Sequence, residues 1–247
     1  MEFILVLVSA FFAGVLNTIA GGGTFLTFPA LVFVGVPPVL ANATSAVAVF
    51  PGYFSGAYGF KEELQRFDRT RLLMLAAVTF VGGLIGSLLL LVSSNEAFSV
   101  VVPLLLLAST LAFLFGEQIR SWAARKSASV QPYGTTGLLI VSIYGGYFNG
   151  GLGIVLLALF SLWGMTHIHE MNGLKTGLSF TLSAVSVAIF AIGGLVQWDY
   201  ALGMMVAATL GGYAGAPIAR ILPKSSIRVL IAVVGFTMSA VFFWRLF

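Results

Sequence analysis

The chain has 247 residues, of which 59% are hydrophobic and 8% charged, with a mean hydropathy of +1.05. That is too little polar surface to cover a water-soluble globule, so soluble classes are excluded and the chain reads as an all-α integral membrane protein. It contains no cysteine, which removes disulfides, thiolate metal sites and a Cys nucleophile. The formal net charge of +4 would suggest an acidic partner for a soluble protein, but here basic loops on the cytoplasmic face explain it.

Five apolar segments fall in each half, at 3–19, 24–34, 39–60, 72–92 and 97–116, then at 134–149, 154–164, 173–196, 200–220 and 227–246. Residues 1–116 form a first transmembrane repeat, 117–133 a polar cytoplasmic linker, and 134–247 a second repeat. No separate signal peptide is expected, because the first apolar run leads straight into a glycine motif. The second segment of each half has about 11 residues, too short for the ~20 that a full span needs, and is expected to be a half-helix or re-entrant piece.

That short segment follows a deliberate break. Gly21, Gly22 and Gly23 interrupt the apolar run, each weakening a helix by ~1 kcal/mol relative to Ala. Unwound backbone in lipid is tolerated only where protein or a watery cavity satisfies it, so the stretch from Asn17 to Ser45 reads as the lining of a site. The pattern returns between Tyr147 and Thr176, where Gly151, Gly153 and Asn172 repeat Gly21, Gly23 and Asn42 at an offset of 130. Gly82, Gly83 and Gly86 recur as Gly211, Gly212 and Gly215 at an offset of 129. The duplication therefore spans nearly the whole chain.

Charge sets the orientation. Lys61, Arg66, Arg69 and Arg71, then Arg120, Arg125 and Lys126, then Arg220, Lys224 and Arg228 make ten of the twelve basic residues, gathered in three connections. Ser93 to Glu96 and Gln197 to Asp199 carry none. Placing the basic connections in the cytoplasm makes the two repeats inverted, with an odd number of crossings per half and both termini outside.

Every acidic residue falls in a connection or at a segment end, which argues against a carboxylate proton relay. Lys175 differs, since it opens an otherwise apolar segment three residues after Asn172. It either anchors the segment by reaching the interface or binds an anion. Helix N-termini carry free N–H groups and a positive dipole end, so glycine-broken half-helices converging at mid-membrane can receive an anion. Gly21, Gly22, Gly23 and Thr24, with Asn149, Gly151 and Gly153, would open two such half-helices. Asn42, Thr44 and Ser45, with Asn172 and Lys175, would open two more and add side-chain donors. The bland reading makes the asparagines helix caps and the glycines close-packing points.

His167 and His169 lack the facing geometry and third ligand of a metal site. No Gly-x-Ser-Gly nucleophile segment is present, so catalysis is not expected.

The stretch from Ala20 to Ser45, with its echo from Asn149 to Lys175, resembles the sulfite exporter TauE/SafE family of inner-membrane proteins. The second motif is looser, because Leu152 replaces a glycine and Gly173, Leu174 and Lys175 replace Ala-Thr-Ser. The resemblance implies movement of sulfite, sulfonates or related small anions across the cytoplasmic membrane. The expected function is a multi-pass secondary transporter working by alternating access; the alternatives are a passive anion channel on the same scaffold and an intramembrane enzyme. The expected partners are a small anion and the bilayer, with no nucleic acid, no cofactor and no metal; a homo-oligomer is an open arrangement.

Overall fold

The structure is a computed structural model that describes residues 2–19, 22–126, 132–219 and 224–244. Gly21, Arg220 and Arg245 lie outside the described residues. The elements are all helical: α1 (Glu2–Ile19), α2 (Thr24–Phe33), α3 (Pro38–Gly59), α4 (Lys61–Gln65), α5 (Arg69–Val92) and α6 (Asn95–Leu114). They continue with α7 (Gly116–Lys126), α8 (Thr135–Tyr147), α9 (Leu152–Leu162), α10 (Ile168–Ile192), α11 (Trp198–Ala219) and α12 (Lys224–Trp244). Among the described residues, Arg69–Val92, Asn95–Leu114 and Ile168–Ile192 are long and apolar enough to cross a membrane.

Local chemistry accounts for the boundaries. The Asp68 carboxylate accepts from the Arg71 amide at 2.8 Å, and the Ser94 hydroxyl from the Ala97 amide at 3.1 Å, capping α5 and α6. Two glycines in the left-handed region bound each short helix: Gly22 (φ 99°) and Gly35 (φ 86°) flank α2, and Gly151 (φ 72°) and Gly164 (φ 84°) flank α9. Both helices end in the same three-bond turn. Val34, Gly35 and Val36 donate to Ala30, Val32 and Leu31, just as Trp163, Gly164 and Met165 donate to Leu159, Ser161 and Phe160.

Those landmarks relate the halves at an offset of 129, so the backbone matches Gly22 to Gly151 rather than Gly21 to Gly151. The next helices start one residue out of that step, with Ala41 donating to Pro37 and Met171 to His167, an offset of 130. The second connection carries one extra residue, which is why Asn42 still matches Asn172.

Each broken pair folds into an antiparallel hairpin. In α1–α2, the Ser9 hydroxyl donates to the Leu26 carbonyl, and the Asn17 side chain accepts from the Gly23 amide at 2.8 Å. In α8–α9, Tyr133 before the first helix and Trp163 after the second meet at 5.4 Å, so both ends of the hairpin emerge together. Arg71 lies over the same Tyr133 ring at 4.4 Å, and Arg66 pairs with Glu170 at 3.9 Å. The basic connection between α3 and α5 and the starts of α8 and α10 therefore share one end of the bundle. At the opposite end, the Val39 amide donates to Asn95 and the Gln197 amide to Thr44, while Phe3 meets Tyr200 at 6.0 Å.

Between the halves, α1 packs parallel to α11 and α5 parallel to α8 through glycines. A Cβ on Gly82 would come within 2.5 Å of Ser142 Cβ, and one on Gly146 within 2.5 Å of the Gly83 carbonyl oxygen. The helices α3 and α10 cross antiparallel, and Phe50 stacks on its counterpart Phe180 at 5.6 Å and 13°. Exposure is inverted relative to a soluble bundle: α5 turns Phe80, Val81, Leu88 and Leu89 outward and buries Gly82, Gly83, Gly86 and Ser87. Small residues inside and large apolar ones outside are what close helix approach in lipid requires.

Two segments differ from the sequence reading. Residues 116–126 are helical rather than an irregular linker, because EQIRSWAARK is rich in helix formers, and Ala123 is buried. The helix α10 begins at Ile168, five residues before the expected apolar edge, so His169, Glu170 and Asn172 lie within it.

Candidate functional site

The two broken loops come to one stretch of α6. A Cβ on Gly22 would lie 3.8 Å from the Phe113 ring, and one on Gly151 would lie 3.0 Å from Ser109 Cβ, one turn away. Tyr144 at the end of α8 donates its hydroxyl to the Gly150 carbonyl, which holds the second loop closed. Both the positive φ and the contact with Ser109 require glycine at 151. Gly151→Ala should cost ~1–2 kcal/mol from the left-handed backbone alone, read as a lower melting temperature of purified protein in detergent.

The first-half residues are engaged within the protein. Thr24 is 3% exposed, and the Gly23 carbonyl accepts from the Thr27 hydroxyl at 3.3 Å. Thr27 in turn shares a 2.6 Å hydrogen bond with Ser45, and Thr44 accepts from the Gln197 amide at 3.0 Å. Asn42, Thr44 and Ser45 do not open a helix: α3 starts at Pro38, so they sit one turn or more inside it. The same correction applies to Asn172 and Lys175, which lie inside α10. Their backbone amides are engaged in helix, and only the starts of α2 and α9 fall at the glycine breaks, where the Phe25 amide donates to the Gly22 carbonyl and the Leu152 and Ile154 amides to the Asn149 and Gly151 carbonyls.

In the second half, the Lys175 ammonium donates to the Asn172 side chain at 3.0 Å. Its aliphatic stem crosses the first turn of α9 at Gly153, where a Cβ would sit 3.3 Å from Lys175 Cδ. Gly151, which opens α9, makes no side-chain cap, whereas the Asn17 side chain already occupies the Gly23 amide of α2. The first turn of α9, at the positive end of its dipole, and the lysine thus lie together.

Asn42 and Asn149 meet at a small cavity of ≈ 10 Å³, together with Gly145 and Gly146 of α8 and Ser183 and Ser186 of α10. Asn172 and Lys175 do not line it. The Asn42 side-chain amide donates to the Tyr147 carbonyl at 2.9 Å, which leaves its oxygen as the group without a partner. The Tyr53 phenol lies within hydrogen-bonding reach of Asn149. Ser186 accepts from Ser87 of α5 at 2.7 Å.

The sequence reading missed Asn17, Thr27, Ser183 and Ser186. A signal existed for the last two: Asn172, Lys175, Ser179, Ser183 and Ser186 recur in steps of three and four, a polar stripe on an apolar helix. Among the described residues no group of three His, Cys, Asp or Glu side chains could hold a metal ion.

A family model described as Sulfite exporter TauE/SafE matches residues 6–242. A probable membrane transporter protein of Haemophilus influenzae is 28% identical over 231 residues, covering 93% of this chain and 90% of that protein. The probable membrane transporter protein YfcA of Escherichia coli K12 is 28% identical, covering 94% of this chain and 86% of its own. The probable membrane transporter protein ORF9 of a Sinorhizobium species is 26% identical, covering 94% and 88%. No solved structure matches.

Proposed function

Because the chain belongs to the sulfite exporter TauE/SafE family and is a membrane transporter, we propose that it moves a small sulfur-containing oxyanion, sulfite or a sulfonate, across the cytoplasmic membrane by alternating access. One observation carries the anion reading: the Lys175 stem lies against Gly153, so a cationic side chain and the N-terminal turn of α9 share one place. Amide groups and a positive charge at a glycine-opened helix start are complementary to a tetrahedral or pyramidal oxyanion. The glycines Gly151 and Gly153 give access to the backbone, Lys175 supplies charge, and Asn172 orients the lysine. Asn42 and Asn149 line the adjoining cavity rather than hold the anion.

The test is counterflow in proteoliposomes. Vesicles loaded with unlabelled sulfoacetate should accumulate labelled sulfoacetate or sulfite, saturably and against the gradient of label. Flux that never saturates and shows no counterflow would point to a channel and sink alternating access.

The alternating-access part rests on an inverted pair of repeats. Supporting it, every equivalent pair, α1 with α8, α3 with α10, α5 with α11, runs in opposite directions within the packing, while packing partners exchange in step: α1 on α11 and α5 on α8. An inverted pair can exchange conformations and so present one site to each side in turn. The chain has no cysteine, so single cysteines report topology cleanly. A cysteine at Ser94 should react with an impermeant maleimide from outside, and one at Gln65 only after lysis; labelling of both from one side would overturn the inverted arrangement.

A further inference from the structure

We propose that the cavity between α3, α8 and α10 is a Na+ site. Three of its lining residues each carry a buried side-chain oxygen that has no hydrogen-bond partner: Asn42 Oδ1, Asn149 Oδ1 and Ser183 Oγ. The residues are 2%, 6% and 1% exposed, so bulk water does not satisfy these atoms. Leaving a single buried polar group unpaired is costly, and three on residues that line one space call for an occupant.

The polarity of the lining selects that occupant. Asn42 keeps an unpaired oxygen beside this cavity because its amide N–H2 is engaged by the Tyr147 carbonyl at 2.9 Å. An acceptor there repels an anion and attracts a cation. Gly145 and Gly146 belong to the last turn of α8, the negative end of that helix dipole. The space, ≈ 10 Å³, fits a bare monovalent ion or one water, and neither an oxyanion nor a hydrated cation. Neutral oxygens without a carboxylate suit Na+ over a divalent ion, which draws its affinity from charged ligands. Every acidic residue of the chain lies at a helix end or in a connection, so no carboxylate competes for the role of carrying positive charge at this depth.

The site also bridges elements that an alternating cycle would move. Asn42 stands on α3, Asn149 in the α8–α9 break and Ser183 on α10, so a bound ion would clamp one hairpin to the crossing pair. The anion end at Lys175 lies on the same face of α10, two turns from Ser183. Na+ binding is a property of the empty transporter and does not depend on which anion is carried.

The measurement is 22Na+ binding by purified protein in detergent without any transported anion, with melting temperature followed in parallel. NaCl should raise the melting temperature saturably, whereas KCl and choline chloride at equal ionic strength should not. Ser183→Ala should weaken Na+ binding at least tenfold while leaving the protein folded, since it removes an unpaired buried hydroxyl. Asn149→Ala, as a second variant, should abolish the NaCl-specific shift. Equal shifts with all three salts, or 22Na+ binding unchanged by Ser183→Ala and Asn149→Ala, would overturn the site and leave a single buried water. Loss of the Na+ effect alongside intact sulfoacetate counterflow would remove only this proposal; intact 22Na+ binding without counterflow would remove only the anion reading.

Discussion

Replacing Lys175 by Met should reduce saturable oxyanion counterflow at least tenfold, about 1.4 kcal/mol or more of lost interaction, without lowering the melting temperature. The two readouts move differently for a physical reason. A lysine within a spanning helix is costly to hold as a charge, so its neutral near-isostere relieves the empty protein. The anion, however, loses the cation that lies beside the first turn of α9. Lys175→Arg should recover part of the flux but not all of it, because the stem already crosses Gly153 at a tight 3.3 Å and a planar fork is bulkier than an ammonium. A lysine that merely anchored α10 at the interface would behave in the opposite way: Lys175→Met would lower yield and stability while transport per folded protein stayed constant.

Valine in place of Gly211 should prevent the protein from reaching a monodisperse folded state at all. A Cβ there would collide with the Phe11 carbonyl, with its carbon only 2.7 Å away, and both partners are backbone that cannot turn aside. Gly86→Val should fail in the same way against the Ile143 carbonyl, with the Tyr147 amide at 2.8 Å, because α5 meets α8 as α11 meets α1. Overpacking a core commonly costs ~1–3 kcal/mol where side chains can adjust; backbone against backbone lies at or beyond the top of that range. Gly52→Ala is the control, since a Cβ there meets nothing within 4 Å. Size-exclusion profiles of the three variants check the prediction, and a normal profile for Gly211→Val would mean that α1 and α11 are not in contact through glycine.

The membrane class was legible because composition is a global property: a chain so poor in charge cannot be wetted all round. The breaks at Gly22 and Gly151 were legible too, since consecutive glycines in an apolar run announce unwound backbone. The helix starts were less so. Asn42 and Asn172 look like openings of helices after a polar gap, yet Pro38 and Ile168 start the helices earlier, and the asparagines become side chains on a helical face. The offset of 130 read along the chain holds for α3 and α10 but slips to 129 for the short helices α2 and α9, and the extra residue in the second connection became visible only in the backbone hydrogen bonds.

Pairing across the bundle was beyond sequence. Asn42 shares its cavity with Asn149, not with its repeat partner Asn172, because α3 and α10 cross antiparallel at Phe50 and Phe180, and equivalent positions away from the crossing diverge. Asn17 was passed over because its task is to hold the Gly23 amide, a contact that exists only once the hairpin closes.

What the sequence by itself determined, then, is that the chain is a membrane protein and that its apolar runs are broken by glycine before Thr24 and before Leu152, because hydropathy and backbone freedom are written residue by residue. Which polar groups face one another was decided only by the tertiary structure. Those meetings depend on the angle and direction at which helices far apart in the chain cross, and no local property of the residues encodes that angle.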